Sequence, residues 1–399
     1  MNKKIELLAP AGDFNKAKTA IDFGADAVYI GGTGYSLRAR ANNFSLEDIS
    51  KISTYVHSKH KKWYLVVNVL CQNHMLTDFA DYFKKVLPFK PDACIASDPF
   101  IISQIKKISP QTPIHVSTQQ SITNSKASLF FKRNGAERVI LSREVSYREL
   151  TPLIKNVKDA IDIETFAHGA VCIGYSGRCM LSNNFCLRDS NIGGCAQSCR
   201  WVMSLYDDKK LYSDKFTMSA KDMCLISKVE QLIKIGISSL KIEGRMKSEY
   251  YIATIVKAYR NAIDAIYRNE HNIDDYIKDA AKAANRSADI AWFDKNPNCH
   301  KMLYYEKQQT VTQNFAFVIN KKINSNTYEI TVKNNMKMSD KYELISKNFN
   351  KTINIKILQM KNKDMDSVTV FPTPQAIGTI TFEKDIELQI GDIGRITSI

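Results

Sequence analysis

The chain has 399 residues, 44% hydrophobic and 24% charged, which is enough to bury a large core and to form more than one domain. A formal charge of +15 favours a polyanionic partner such as nucleic acid, because cations that neutralise phosphates release condensed counterions. No apolar run is long enough to cross a bilayer, and Met1-Asn-Lys-Lys leads into Ile5-Glu-Leu-Leu without a secretory leader, so a cytoplasmic protein that meets no membrane is expected.

Eight short apolar or β-branched runs follow in chain order: Ile5 to Ala9, Ala27 to Ile30, Tyr64 to Val69, Ala93 to Ala96, Ile114 to Ser117, Arg138 to Leu141, Ile163 to Ala167 and Ser239 to Ile242. Amphipathic stretches lie between most of them, including Phe14 to Phe23, Leu46 to Ser58, Asp78 to Val86, Pro99 to Ile108 and Ser125 to Asn134. Strands alternating with helices imply right-handed crossovers and a parallel sheet. Eight units suit a closed (β/α)8 TIM-like barrel, with a doubly wound open sheet as the alternative. The barrel is expected over 1–268, a helical connector over 269–307 and a β domain over 308–399. In this last region period-two alternation, as in Tyr328/Ile330/Val332 and Ile353/Ile355/Ile357, describes an antiparallel sheet or small antiparallel β-barrel.

In such a barrel function gathers where the strands end and the βα loops begin. Those ends carry Gly12, Gly31 with Arg38 and Arg40, Asn68, Asp98, Thr118-Gln-Gln120, Ser142-Arg143-Glu144, His168-Gly169 and Glu243-Gly-Arg245. Each could be a turn or a surface charge, but polar residues follow nearly every strand. The seventh strand leads into a cysteine-rich insertion over 168–224, and loops of that length in a compact domain are usually functional. Nine cysteines occur in the chain, six of them between Cys172 and Cys224.

Clustered cysteines in a reducing compartment point to metal or redox work more than to disulfides. Cys172/Cys179 and Cys195/Cys199 can bring four thiolates to one centre, suiting zinc or an iron–sulfur cluster. Zinc knuckles are tight at both ends, whereas the first pair here is widely spaced. Cys186 and Cys224 are spare ligand candidates; Cys71, Cys94 and Cys299 read as incidental thiols. Cys172 as a nucleophile beside His168 is a further reading, although no third orienting group is identifiable. No H-E-x-x-H or G-x-S-x-G motif is present.

The run Glu164-x-Phe166-x-x-Gly169-Ala-Val-Cys172-x4-Gly177-x-Cys179-x-Leu181-Ser182 resembles the signature of the collagenase-like U-32 peptidase family. Leu8-Ala-Pro-Ala-Gly12, Gly24-Ala-Asp-Ala-Val-Tyr-Ile-Gly31, Ser219-Ala-Lys-Asp222 and Ser239-Leu-Lys-Ile-Glu-Gly-Arg-Met-Lys-Ser248 are similar to it too, so the resemblance covers about residues 4–265. It departs over Ala284 to Phe293.

The resemblance implies more than proteolysis. Similar family members act with prephenate to make 5-hydroxyuridine at the wobble position of tRNA; others hydroxylate rRNA or take part in ubiquinone hydroxylation. It implies a 4Fe-4S cluster on Cys172, Cys179, Cys195 and Cys199, with zinc as the alternative, and a partner that donates electrons. On this view Arg38, Arg40, Arg143, Arg178 and Arg245 contact phosphate or the carboxylates of a small organic acid, for which guanidinium geometry is suited. Tyr175 or Trp201 stacks on a splayed pyrimidine. His168 and Glu243 are the candidate acid and base.

Overall fold

The computed structural model describes residues 4–37, 43–284, 286–296 and 315–397. Eight parallel strands close into a barrel: β1 (Glu6–Pro10), β2 (Ala27–Gly31), β3 (Lys62–Val67), β4 (Ala93–Ala96), β5 (Ile114–Val116), β6 (Arg138–Ile140), β7 (Asp162–Gly169) and, after an insertion, a last strand at Ser239–Ile242 that pairs with both β7 and β1. Closure removes the edges that would leave backbone groups unpaired. Strands such as β2 and β4 are buried along their whole length, as expected where helices cover the outside and side chains fill the inside.

Local sequence starts the surrounding helices. Asp13 accepts from the Lys16 backbone N–H ahead of Phe14–Asp22, and Ser45 forms a capping box with Asp48 ahead of Leu46–Ser58. Asp98 caps Pro99–Ile108, where proline occupies the first turn and forfeits no needed N–H.

The lower barrel interior is ionic. Glu164, fully buried, accepts from Arg138 at 3.0 Å and from Lys241 at 3.0 Å. Arg138 also pairs with Glu6 at 2.5 Å, and the Tyr64 hydroxyl donates to Glu6 at 2.6 Å. Unpaired, any of these charges would be costly at such burial, so the network is tolerated only because each has a partner.

The insertion contains an exposed hairpin, β8 (Met203–Asp207) with β9 (Lys210–Phe216), and a short return strand, β10 (Asp222–Cys224). β10 runs antiparallel to the end of β7, and β12 (Ala288–Asp289) then adds to it; β11 denotes the closing strand Ser239–Ile242. In the predicted connector, the helix Asp274–Ala281 is observed, while 297–307 lie outside the described residues.

The C-terminal domain is antiparallel, as its alternation predicted. Eight strands, β13 (Phe315–Lys322), β14 (Thr327–Val332), β16 (Tyr342–Ile345), β17 (Ile353–Ile355), β18 (Ile357–Lys361), β19 (Ser367–Val368), β21 (Ile377–Phe382) and β22 (Ile393–Ile396), run in the order β17-β16-β22-β13-β14-β21-β18-β19, with a separate pair of β15 (Met336–Lys337) and β20 (Val370–Phe371). Among the described residues no pairing joins the ends, so the domain is a curled antiparallel sheet. It docks on the barrel through polar and aromatic contacts. Lys347 pairs with Asp22 of the barrel at 2.9 Å, Arg395, almost fully buried, pairs with Glu343 of its own domain at 2.6 Å and with Asp279 of the helix Asp274–Ala281 at 2.7 Å, and Phe315 stacks on Tyr250 of the long helix Glu249–Tyr267.

Candidate functional site

A cavity of about 190 Å³ opens at the C-terminal end of the barrel strands. Its apolar floor comes from Val66, Ile95, Ile140 and Phe166, one residue from each of four strands. Arg143, Lys241 and Arg245 bring cationic groups to it, and Glu243 an acidic one. The Arg143 guanidinium lies 3.7 Å above the Phe166 ring centroid, which leaves the edges of its planar fork available to an anion. Arg245 is buried and held by Ser36 at 2.8 Å and Asn43 at 3.0 Å. Lys241 sits 4.4 Å from the Tyr29 centroid; burial lowers its ammonium affinity for the proton, and Glu164 opposes that.

All four cysteines of the two pairs, Cys172, Cys179, Cys195 and Cys199, border this one cavity, and none is in a disulfide. Burial pushes the Cys199 thiol up, the Arg200 guanidinium beside it pulls it down, and Cys172, Cys195 and Cys179 each push it up again, so the four sulfurs share an electrostatic neighbourhood. Among the described residues no set of three or more His, Cys, Asp or Glu side chains is placed to hold a single metal ion. A lone tetrahedral zinc needs all its thiolates at about 2.3 Å from one point. Thiolate is a ligand for zinc and for iron–sulfur clusters alike, so the chemistry of four cysteines is compatible with either group.

Two local features build this arrangement. Gly177, between the first two cysteines, has φ +77°, and a β-carbon there would run into the Gln119 carbonyl. Arg200, next to Cys199, donates to the Val171 carbonyl at 3.3 Å, the Ala220 carbonyl at 3.4 Å and the Ser219 hydroxyl at 3.1 Å. It therefore ties the loop of the second cysteine pair to the residue preceding Cys172.

Residues 12–303 match peptidase family U32, and residues 312–395 match the peptidase family U32 C-terminal domain. The chain belongs to peptidase family U32. It is 39% identical over 368 residues to tRNA hydroxylation protein P1 of Bacillus subtilis, covering 88% of this chain and 87% of the relative. It is 31% identical to tRNA hydroxylation protein P of Escherichia coli, covering 96% and 95%. A collagenase of Porphyromonas gingivalis is 34% identical over 65% of this chain and 66% of its own length.

Within this U32 scaffold the other predicted residues separate. Tyr175, about half exposed, stands at the cavity rim, and Glu243 accepts from the Tyr29 hydroxyl at 3.2 Å inside it. Arg178 is exposed and donates to the Ser121 hydroxyl at 3.2 Å, and neither it nor Trp201 borders the cavity. Arg38 and Arg40 lie outside the described residues.

The structure places the predicted acid or base His168 away from this cavity. It is buried outside the cavity lining, between Tyr251 and Tyr259 at centroid distances of 5.9 and 5.6 Å, with no hydrogen-bond partner on Nδ1. Burial holds it down to about 4, a neutral packing ring. The β7–β11 register shifts between Lys241 and Ile242, where His168 pairs, and such an irregularity takes His168 out of the inward series of Glu164 and Phe166. Cys172 borders the cavity and His168 does not. Cys186, whose thiol donates to the Ser182 carbonyl at 3.2 Å, and Cys224 also stand away from the cavity.

Lys241 was missed by the sequence reading. It lies in the Ser239-Leu-Lys-Ile-Glu243 run, where strand alternation points Ser239, Lys241 and Glu243 the same way.

Proposed function

We propose that this protein hydroxylates RNA in the cytoplasm, converting a tRNA wobble uridine to 5-hydroxyuridine with prephenate as co-substrate and a 4Fe-4S cluster held by Cys172, Cys179, Cys195 and Cys199. The observation that carries the reading is the meeting of four thiols and three cationic side chains in one cavity at the functional end of a barrel. Relatives named as tRNA hydroxylation proteins align with both domains, whereas the collagenase aligns with about two thirds of the chain. The net charge of +15 suits a polyanionic substrate.

When bound, an iron–sulfur cluster would supply electron transfer or activation of the oxygen donor. The chain's own residues do the rest. Arg143 and Arg245 present fixed guanidinium groups to the carboxylates of a small organic acid, with Lys241 as a third positive charge. Phe166 and the aliphatic floor exclude water beneath a planar ring. Tyr175 at the rim offers a stacking face to a pyrimidine splayed from a single-stranded loop. Glu243, oriented by Tyr29, is the carboxylate available to take or hold a proton.

Nucleoside analysis of tRNA from a deletion strain tests the reading. Loss of 5-hydroxyuridine-derived nucleosides, restored by the wild-type gene but not by a Cys172→Ser/Cys179→Ser copy, is expected. Unchanged nucleosides together with gelatin cleavage by the purified protein would favour a peptidase.

A further inference from the structure

Beside the cavity is a second, more open cleft of about 340 Å³, bounded by Glu144, Ile173, Tyr175, Trp292 and Asn296. Ile173 and Tyr175 border both spaces, so the two compartments share a wall one side chain thick. From this geometry we propose that the outer cleft is a nucleobase subsite, in which the base adjoining the modified uridine packs against Tyr175 and Trp292. The proposal rests on the RNA reading above and adds a second point of recognition to it.

Three observations favour a base. Two aromatic side chains border the cleft, and Tyr175 is 47% exposed, so part of its ring is open to a ligand. Trp292 is preorganised: the Phe293 N–H donates to the Ile290 carbonyl at 3.1 Å, the Tyr147 N–H donates to the Phe293 carbonyl at 2.7 Å, and the Phe293 ring packs on Tyr147 at 5.3 Å. A ring on an anchored turn loses little entropy when a ligand stacks on it.

The third observation is charge. Glu144 accepts from the Ser176 N–H at 3.0 Å, from the Ser176 hydroxyl at 3.2 Å and from the Ser142 hydroxyl, which fixes its carboxylate at the cleft. A carboxylate there repels a phosphate but can accept from the N–H edge of a base, and Asn296 offers both a donor and an acceptor. Among the described residues the inner cavity carries the cations and the outer cleft carries none, so the two spaces divide anion recognition from base recognition.

The test is a binding cycle by fluorescence anisotropy with a synthetic RNA stem-loop carrying the target uridine in its loop, and with versions abasic at each neighbouring loop position. Wild-type protein should lose about ten-fold in affinity when one particular neighbouring base is removed, as expected for one stacked base. Trp292→Ala should bind the intact RNA about ten-fold more weakly and become indifferent to that base, whereas Trp292→Phe keeps most of the effect. Circular dichroism of the Ala variant checks its fold. The inference is overturned if the abasic penalty is the same in Trp292→Ala as in wild type, or if neither abasic RNA binds more weakly. Wild-type protein that does not bind the intact stem-loop would refute the RNA reading itself, and the subsite with it.

Discussion

Replacing His168 by Phe should flatten the acid side of the stability profile. The imidazole is buried against Tyr251 and Tyr259, and burial, reinforced by Lys247 and opposed by Asp222, lowers its proton affinity from an ordinary 6.5 to about 4. The unfolded chain therefore takes up a proton as pH falls through about 6.5, while the fold resists until about 4. Across that window the unfolded state binds more protons, so stability falls with falling pH, and below it both states are protonated and the loss is complete. The interval corresponds to a ceiling of about 3 kcal/mol, at about 1.4 kcal/mol per tenfold change in proton affinity. Phenylalanine keeps a ring of similar shape between the two tyrosines and does not titrate. Urea denaturation of metal-free wild-type and variant protein, run between about pH 4 and 7, measures the difference. The stability gap should move in favour of the variant by up to about 3 kcal/mol as pH drops. Identical pH dependence in both proteins would refute the buried neutral ring, and loss of RNA hydroxylation in a stably folded variant would return His168 to the chemistry.

Glu164→Gln leaves Lys241 without its counter-ion inside the barrel, and thermal denaturation should show a loss of about 3–5 kcal/mol, part of which the double variant with Lys241→Met recovers. Gly177→Ala forces a side chain into a left-handed backbone position against the Gln119 carbonyl. It should cost about 1–3 kcal/mol in urea denaturation and lower iron loading while the far-ultraviolet spectrum of the barrel persists. Arg200→Met should loosen the tie between the two cysteine loops, seen as a several-fold drop in bound iron per chain after anaerobic reconstitution, with Arg200→Lys intermediate; unchanged iron in both would refute the tie.

The barrel was legible because its strands are short, apolar and regularly spaced by amphipathic helices, so Ala93–Ala96 and Ser239–Ile242 fall where periodicity placed them. Less legible was anything decided by local irregularity or by tertiary pairing. A register shift between β7 and β11 moved His168 off the cavity, although its sequence position beside Gly169 reads as a strand end. The three-residue strand Asp222–Cys224 has too little pattern to announce itself and exists through its pairing with β7 and β12. Lys241 was hidden because a lysine in an apolar run looks like an exposed interruption, whereas it is buried and neutralised by Glu164, a partner 77 residues away. Alternation in the C-terminal domain revealed antiparallel strands but could not distinguish a closed barrel from a curled open sheet. Cysteine spacing identified a set of four thiols, and the fold brings that set to one cavity with Arg143 and Arg245.

The central claim is that these four thiols bind iron and sulfide at the mouth of the barrel. Anaerobic purification followed by iron and acid-labile sulfide determination tests it, with single serine substitutions at Cys172, Cys179, Cys195 and Cys199 and with Cys186→Ser and Cys224→Ser as controls. The account predicts a brown protein with about four irons and four sulfides per chain, depleted by each of the first four substitutions and by neither control. A colourless protein holding zinc with intact activity, or iron loading indifferent to Cys172 and Cys199, would contradict it.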